Sequence, residues 1–120
     1  MAVGSSNSFD LVVLGAGTGG YSAAFRAGQL GLKVALVDAH KIGGTCLHVG
    51  CIPTKAMLES ADLYARVKKA GDFGITTGEA SIDFAAVAKR RGQIVERLHK
   101  GLQGRTKKNG VEFVHGRGRL

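Results

Sequence analysis

The sequence predicts an α/β fold with a parallel sheet. Three observations support this prediction: an apolar run ends in a glycine-rich segment, an alanine-rich helix follows, and a second apolar run ends in an acidic residue. Short apolar runs on either side of a helix are typical of parallel strands that are covered on both faces. At 120 residues, 44% hydrophobic and 22% charged, the chain makes one domain at most, and its composition excludes disordered and collagen-like proteins.

The first three elements form a βαβ unit. Phe9 to Leu14 is a nearly continuous apolar run, which predicts a strand buried on both faces of the sheet. Gly19 to Leu30 predicts a helix that ends at Gly31. Lys33 to Val37 predicts the second strand, which finishes at Asp38. The crossover between two such parallel strands is expected to be right-handed.

A second helix is predicted from Pro53 to about Ala70. Pro53 falls in the first turn, where its missing N–H leaves no helical hydrogen bond unmade. At about 100° per residue the charged side chains share one narrow arc and most other positions are apolar, which predicts a largely buried helix. The charged residues of that arc are Lys55, Glu59, Asp62, Arg66 and Lys69.

A third helix is predicted from an N-cap at Asp83 to about Lys108. One face is apolar apart from Arg91, and the opposite face carries lysines and arginines. The helix contains three glycines, Gly92, Gly101 and Gly104. Each lowers helix stability by about 1 kcal/mol relative to alanine, so the helix can bend or end early at these positions. Asn109-Gly110 ends the helix, and Val111 to His115 predicts a third strand.

The net charge of +8 comes from the second half of the chain. Met1 to Tyr64 carries four basic and four acidic residues, whereas Ala65 to Leu120 carries thirteen and five. A basic half can meet nucleic acid or an acidic partner. The basic half can equally belong to a longer chain whose acidic residues lie elsewhere. We favour this second interpretation, because few aromatic residues are available to stack on the bases of a nucleic acid. No apolar run approaches the roughly 18 residues of a membrane-spanning helix and no signal peptide is visible, so a cytoplasmic protein is the default expectation.

The first motif predicts a dinucleotide site of the Rossmann type. Gly15-Ala-Gly17-Thr-Gly19-Gly20 fits the pattern G-x-G-x-x-G. In this pattern the first glycine permits a tight turn, the second lets the backbone approach a pyrophosphate, and the third allows close packing of helix on strand. N–H groups at the helix start attract the phosphates. Asp38, 21 residues beyond Gly17, is placed to accept hydrogen bonds from a ribose diol. A plain glycine-rich turn and an ordinary acid at a strand end are the alternatives.

Both cysteines lie in a second glycine-rich segment, Gly43-Gly-Thr-Cys-Leu-His-Val-Gly-Cys-Ile-Pro-Thr-Lys55, with four residues between Cys46 and Cys51. Five residues of regular helix rise about 7.5 Å, beyond the limit of about 6.8 Å between the Cα atoms of a disulfide. A disulfide therefore requires a looped or distorted backbone here, which the glycines make feasible. In a reducing compartment such a pair is more often catalytic than structural.

Two other interpretations of this segment stay open at this point. The cysteines can be inert buried thiols. They can also belong to a zinc site whose candidate ligands are Cys46, His48, Cys51 and His40, although the spacing does not follow the common structural patterns. We expect no metal.

The glycine fingerprint followed by the Gly43 to Lys55 segment resembles the flavin-dependent disulfide reductases. Cys46-Leu before the gap and Cys51-Ile-Pro-Thr-Lys55 after it are most similar to the members that oxidise dihydrolipoamide. The resemblance covers all 120 residues, and its specific motifs are residues 15–20 and 43–55. It implies a Rossmann-like FAD-binding domain, of which residues 1–120 would be the N-terminal part.

The resemblance also implies roles for individual residues. Cys46 would be the thiol that exchanges with the dithiol substrate, and Cys51 would be the thiol against the flavin. Lys55, one helical turn beyond Cys51, would place its ammonium near the reduced ring; its alternative role is a surface pair with Glu59. The remaining residues implied at the FAD are Gly15, Gly17, Gly20, Asp38, Gly44, Thr45 and Gly118.

The reaction implied by the resemblance passes electrons from dihydrolipoamide to the Cys46–Cys51 disulfide, then to FAD and finally to NAD. The implied partners are an acyltransferase subunit of a 2-oxoacid dehydrogenase complex, which carries the dihydrolipoamide, and a second copy of the full-length chain in a homodimer. Neither nucleic acid nor a membrane is expected as a partner.

Other parts of such an enzyme are not evident in the sequence. One glycine fingerprint leaves no separate nicotinamide site, and the family's dimer-interface domain would lie beyond residue 120. We therefore expect a fragment that is inactive alone. His40, His99 and His115 are expected to face solvent or to pack. The alternative function is a non-redox nucleotide-binding module whose basic half docks an acidic partner.

Overall fold

The computed structural model describes residues 8–120. The strands are β1 (Leu11–Leu14), β2 (Val34–Asp38) and β3 (Val111–His115), and the helices are α1 (Thr18–Gln29), α2 (Gly44–His48), α3 (Cys51–Lys68) and α4 (Phe84–Lys108), with a 3₁₀ turn at Ala70–Phe73. The chain divides into two compact units. The first unit holds residues up to Gly44 together with His99–Leu120, and the second holds Thr45–Leu98.

The first unit is built on a three-stranded parallel sheet in the order β1-β2-β3. Leu11 lies opposite Val34, and Val34 lies opposite Val111 on its other side. Helix α1 connects the two parallel strands β1 and β2. The predicted βαβ unit, the third strand and the α/β fold class are therefore confirmed.

The core of this unit lies around β2, because β2 is the only strand of the sheet with a neighbour on each side. Val34 and Leu36 are fully buried. Ala24, Phe25 and Ala27 of α1 pack into the same cluster, with small alanines allowing the helix close to the strand. This packing holds the C-terminal ends of β1 and β2 side by side, which positions the segments that follow them.

The prediction that β1 is buried on both faces is wrong. Leu11, Val12 and Leu14 are each exposed, and only Val13 packs against the core. In this chain β1 is the edge of the sheet. An edge strand lacks a neighbour on one side, so its apolar residues are covered less than those of a central strand.

The third helix begins where its cap predicts. The Asp83 carboxylate accepts a hydrogen bond from the Ala86 N–H at 3.0 Å, which is an N-cap contact. The helix runs without a break to Lys108, and its three glycines face open space. Gly110, at φ +65°, then turns the chain into β3. The Gln29 amide donates to the Asn109 side chain at 3.1 Å, tying the end of α1 to this turn.

In the second unit, the prediction of a largely buried α3 is wrong. Ala56 is its one buried residue, while Leu58 and Leu63 are each more than half exposed. The predicted charged arc does face solvent. Arg90 of α4 donates to the Ala56 carbonyl at 3.0 Å, and Arg91 reaches the Met57 sulfur at 3.8 Å. Arginine side chains, rather than close apolar packing, thus link α3 to α4.

Across residues 8–120, no helix combines the length and the apolar character that crossing a lipid bilayer demands.

Candidate functional site

The fingerprint glycines have three distinct physical roles. Gly15 turns the chain at φ +99°, a conformation that L side chains rarely adopt, and its N–H donates to the Val37 carbonyl at 2.8 Å. A Cβ on Gly20 would collide with the Gly15 carbonyl oxygen. At Gly17 no other atom lies within 4 Å of an added Cβ. Gly15 and Gly20 are therefore required by the backbone turn and by the packing around it, whereas Gly17 leaves free space where a side chain would otherwise be.

Helix α1 begins directly after that open position. Gly17 is its N-cap and makes no side-chain hydrogen bond to the first turn. The first N–H groups of a helix have no partner within it, and they carry a partial positive charge. A half-buried glycine with no side chain, leading into these N–H groups, is the geometry that accommodates a pyrophosphate.

Asp38, at the end of β2, is bonded to the same turn. One carboxylate oxygen accepts the Ala16 N–H at 2.6 Å and the other accepts the His40 N–H at 2.8 Å. The hydrogen bond from Ala16, followed by the one from His40, holds the pKa of Asp38 below its usual range. A carboxylate offers about four acceptor positions. Two of these are used, so an ionised Asp38 retains the capacity to bind a diol.

The second glycine run packs against the first. The Gly43 N–H donates to the Ala16 carbonyl at 2.9 Å. A Cβ on Gly44 would lie 2.8 Å from the Gly17 Cα, and Gly44 itself adopts φ +62°. Ala16 is fully buried and bonds through its N–H to Asp38 and through its carbonyl to Gly43. Sequence reasoning missed Ala16, whose only signal is its place between two fingerprint glycines.

Gly118 also packs closely in the first unit. A Cβ on Gly118 would collide with a methyl group of Leu14, at the C-terminal end of β1. The Gly116 N–H donates to the Asp38 carbonyl at 2.9 Å, so the segment after β3 continues alongside β2. The structure therefore brings residues 116–118 to the strand ends that carry the fingerprint and Asp38. Contact of Gly118 with adenine stays a prediction.

The cysteine segment, in the second unit, contains the predicted helix break. Helix α2 ends at His48 and α3 begins at Cys51, with Gly50 between them at φ −116°, ψ −114°. A Cβ on Gly50 would lie 2.9 Å from the Thr45 carbonyl oxygen and 3.3 Å from the Cys46 Cα. Glycine thus lets the end of α2 fold back against the start of α3. Pro53 falls in the first turn of α3, as predicted.

The break brings the two sulfurs together. Cys46, half-buried, and Cys51, exposed, are free thiols whose side chains share a hydrogen bond. That hydrogen bond is the main reason why the pKa of Cys46 is raised; the Cys51 backbone N–H and the Lys55 ammonium act in the opposite direction. A close pair in a glycine-broken helix, one of them accessible, has the geometry needed for reversible disulfide formation.

The other residues predicted in this segment occupy compatible positions. Lys55 is exposed on the first turns of α3 and lies within electrostatic range of Cys46. Thr45 is exposed, and its carbonyl accepts the Val49 N–H at 3.0 Å. Residues 8–120 contain no group of three or more His, Cys, Asp or Glu side chains that could hold a metal ion. The described residues therefore give the zinc interpretation no support.

A family model described as "Pyridine nucleotide-disulphide oxidoreductase" matches residues 9–120, which is nearly the whole chain. The chain belongs to the pyridine nucleotide-disulphide oxidoreductase family. The family resemblance predicted from the two glycine-rich motifs is thereby confirmed.

Relatives within the pyridine nucleotide-disulphide oxidoreductase family point to one subgroup. The chain is 46% identical over 115 residues to the dihydrolipoyl dehydrogenase of Bacillus subtilis, covering 96% of this chain and 24% of that protein. It is 45% identical over 115 residues to the dihydrolipoyl dehydrogenase of Chlamydia muridarum, covering 96% and 25%. It is 44% identical over 125 residues to that of Cupriavidus necator, covering 96% and 26%. The chain spans about a quarter of the length of these curated relatives.

Proposed function

We propose that this chain forms the N-terminal part of the FAD-binding domain of a dihydrolipoamide dehydrogenase, with Cys46 and Cys51 as its redox-active dithiol. One observation carries the proposal: the helix break at Gly50 places the two cysteine side chains within hydrogen-bonding distance of each other. Inert structural thiols need no such break. The high identity to dihydrolipoyl dehydrogenases over 96% of the chain supports the choice of substrate.

The residues of the first unit fit FAD. In this proposal Gly15, Gly17 and Gly20 shape the turn at the pyrophosphate, and the first N–H groups of α1 bind its oxygens. Asp38 accepts hydrogen bonds from the adenosine ribose, and the backbone at Gly118 meets the adenine. Gly44 of this unit, and Thr45 and Cys46 of the second unit, would be the residues for the flavin part of FAD. When bound, FAD supplies a two-electron acceptor for the reduced dithiol.

The proposed chemistry of the two cysteines is thiol–disulfide exchange. A thiolate of dihydrolipoamide attacks the Cys46 sulfur of the oxidised pair, forming a mixed disulfide and releasing Cys51 as a thiolate. The second substrate thiol then attacks the other substrate sulfur, which is bonded to Cys46 in the mixed disulfide. The bond to Cys46 breaks, and the Cys46 thiolate takes up the proton that the second thiol loses. The substrate leaves as a cyclic disulfide, and the cysteine pair has gained two electrons. The hydrogen bond to Cys51 raises the pKa of Cys46 and so favours the thiol form of Cys46.

Lys55 would stabilise negative charge during this cycle. Its ammonium already lowers the pKa of Cys46, which partly opposes the effect of Cys51. We propose that the same cation would lie near a bound flavin, where its positive charge would favour the uptake of electrons. In this proposal the positive charge of Lys55 would stabilise negative charge on the cysteine sulfur and on the cofactor, and Lys55 itself would form no covalent bond.

The wider assignment follows from the same proposal. NAD would be the final electron acceptor, bound by parts of the enzyme outside these 120 residues, and the enzyme would act as a cytoplasmic homodimer. Its substrate would be dihydrolipoamide on an acyltransferase subunit of a 2-oxoacid dehydrogenase complex.

The proposal is tested on the longer enzyme of which this chain would be a part, because the chain alone is expected to be inactive. Dihydrolipoamide is added to the oxidised, FAD-loaded enzyme without NAD, and the lipoamide formed is measured. We expect oxidation stoichiometric with the protein and none in Cys46→Ser or Cys51→Ser. Gly17→Ala serves as the cofactor control: it should cost at most about 1 kcal/mol of stability yet weaken FAD binding. A colourless protein with two independently titrating thiols would favour the non-redox nucleotide-binding module instead.

A further inference from the structure

We propose that a pocket in the first unit, beside helix α4, binds a small aromatic acid, that is, a flat apolar ring bearing a carboxylate or a phosphate. This β3–α4 pocket is a cavity of about 520 Å³ bordered by one face of β3, one face of α4 and the segment after β2. The residues that carry the proposal are Lys41, Ile42, Gln103, Lys107, Val111 and Phe113. The proposal does not depend on the redox function of the cysteines.

The pocket has an apolar floor. Val111 and Phe113 alternate along β3 and therefore point to the same side of the sheet. Val111 and Ile42 are buried, and Phe113 is half-buried with its ring at the cavity. The volume falls within the roughly 300–1,000 Å³ of small-molecule sites. An aromatic ring and two aliphatic side chains favour a flat apolar ligand.

The rim of the pocket is cationic. Lys41 and Lys107 are exposed and line the cavity, together with His40 and His115. None of the described residues that line it is aspartate or glutamate. The Gln103 side chain and the lysine ammonium groups supply hydrogen-bond donors. A ligand with one anionic group matches the two lysines, since no carboxylate within residues 8–120 belongs to the lining. The carboxylate of Asp38 lies beside His40 and His115, so the anionic group is expected at the lysines.

The cavity extends away from the expected dinucleotide site. His115 marks the C-terminal end of β3 and Val111 its N-terminal end, about 13 Å apart at the usual rise of a strand. Dinucleotides bind at the C-terminal ends of parallel strands. Lys107 and Val111 therefore line a part of the pocket that the adenosine of FAD does not need, although His40 and His115 adjoin Asp38.

The test is calorimetric titration of the FAD-saturated protein with 2-naphthoate and with 2-naphthyl phosphate, using uncharged 2-naphthamide as the ligand control. Both anions are expected to bind, and the amide should bind at least about fivefold more weakly. Comparing the two anions shows whether the site prefers a carboxylate or a phosphate.

Variants locate the binding. Lys107→Gln should weaken binding of the anions about fivefold with little effect on the amide. Gln103→Glu, which places a negative charge in the pocket at similar size, should weaken it further. Lys108→Gln, which removes one charge from the same helix end outside the lining, should leave both affinities unchanged. Equal binding of anion and amide, equal effects of Lys107→Gln and Lys108→Gln, or loss of binding on saturation with FAD would each overturn the proposal.

Discussion

Replacing Gly50 by alanine should separate the two cysteines. The added Cβ would lie 2.9 Å from the Thr45 carbonyl oxygen and 3.3 Å from the Cys46 Cα, and both contacts are with backbone. No side-chain rotation relieves them, so the end of α2 must move away from the start of α3. In the dithiol form this movement is opposed only by the hydrogen bond between the two thiols, whereas a covalent disulfide between Cys46 and Cys51 resists it.

The magnitude follows from overpacking costs. Forcing one extra carbon into a close-packed site costs about 1–3 kcal/mol. If that strain falls on the disulfide form alone, the two-electron reduction potential rises by about 20–65 mV, since 30 mV corresponds to about 1.4 kcal/mol. The disulfide of Gly50→Ala should therefore be easier to reduce than that of the wild type.

The assay is equilibration of each protein in glutathione buffers of graded potential, followed by quenching and thiol counting. Gly92→Ala is the matched control: Gly92 lies in the same unit, and no other atom is within 4 Å of its added Cβ. We expect the potential of the control to equal that of the wild type. A potential of Gly50→Ala indistinguishable from the control, with helix content unchanged, would refute the role assigned to the break.

Three further predictions concern the other residues of the site. Asp38→Asn should lower the free energy of unfolding by about 1 kcal/mol at pH 7. The pKa of Asp38 is lowered in the folded protein. The difference in unfolding free energy between the variant and the wild type is therefore present above the unfolded-state pKa of about 3.9 and is lost as the pH falls through the folded-state pKa. Urea unfolding at pH 7 and pH 2.5 measures this difference, with the exposed Asp62→Asn as control. Cys51→Ala removes the main cause that raises the pKa of Cys46, so the pH profile of Cys46 alkylation by iodoacetamide should move to lower pH; an unchanged profile would contradict the assigned hydrogen bond. Gly20→Ala should destabilise the fold by roughly 2 kcal/mol or more, since the added Cβ would collide with the Gly15 carbonyl. Gly19→Ala is the control and should not destabilise the fold, because the space around Gly19 is open. Similar melting temperatures for the two variants would count against the packing role of Gly20.

Local signals in the sequence predicted several elements well. The pairing of Asn109-Gly110 with an apolar run predicted β3 at Val111–His115, where the structure has it. The Asp83 cap and the fingerprint turn were also predictable, because each depends on residues within a few positions of one another. Burial was less predictable. The apolar run of β1 does not reveal that it forms the edge of the sheet, and the apolar face of α3 does not reveal how little of it is covered by this chain.

At the candidate site, too, local features could be predicted from the sequence, whereas contacts between distant segments could not. The spacing of Cys46 and Cys51 indicated that a disulfide needs a broken helix, and glycines showed where a break was feasible. The short helix α2 was not predicted, because five residues containing a glycine carry no periodic pattern. The hydrogen bonds through Ala16 were not predictable either, since they join segments 22 or more residues apart through backbone atoms. The β3–α4 pocket likewise arises only when α4 and β3 are brought together.

The central claim is that Cys46 and Cys51 exchange electrons with a bound flavin, and visible absorption during partial reduction of the FAD-loaded protein tests it most directly. A thiolate in contact with a flavin absorbs at longer wavelength than the flavin alone. The account predicts that this band appears on two-electron reduction of the wild type. It should be present without any reduction in Cys46→Ser, where Cys51 has no disulfide partner, and absent in Cys51→Ser. Flavin that bleaches without any such band in the wild type, while both thiols remain reactive, would contradict it.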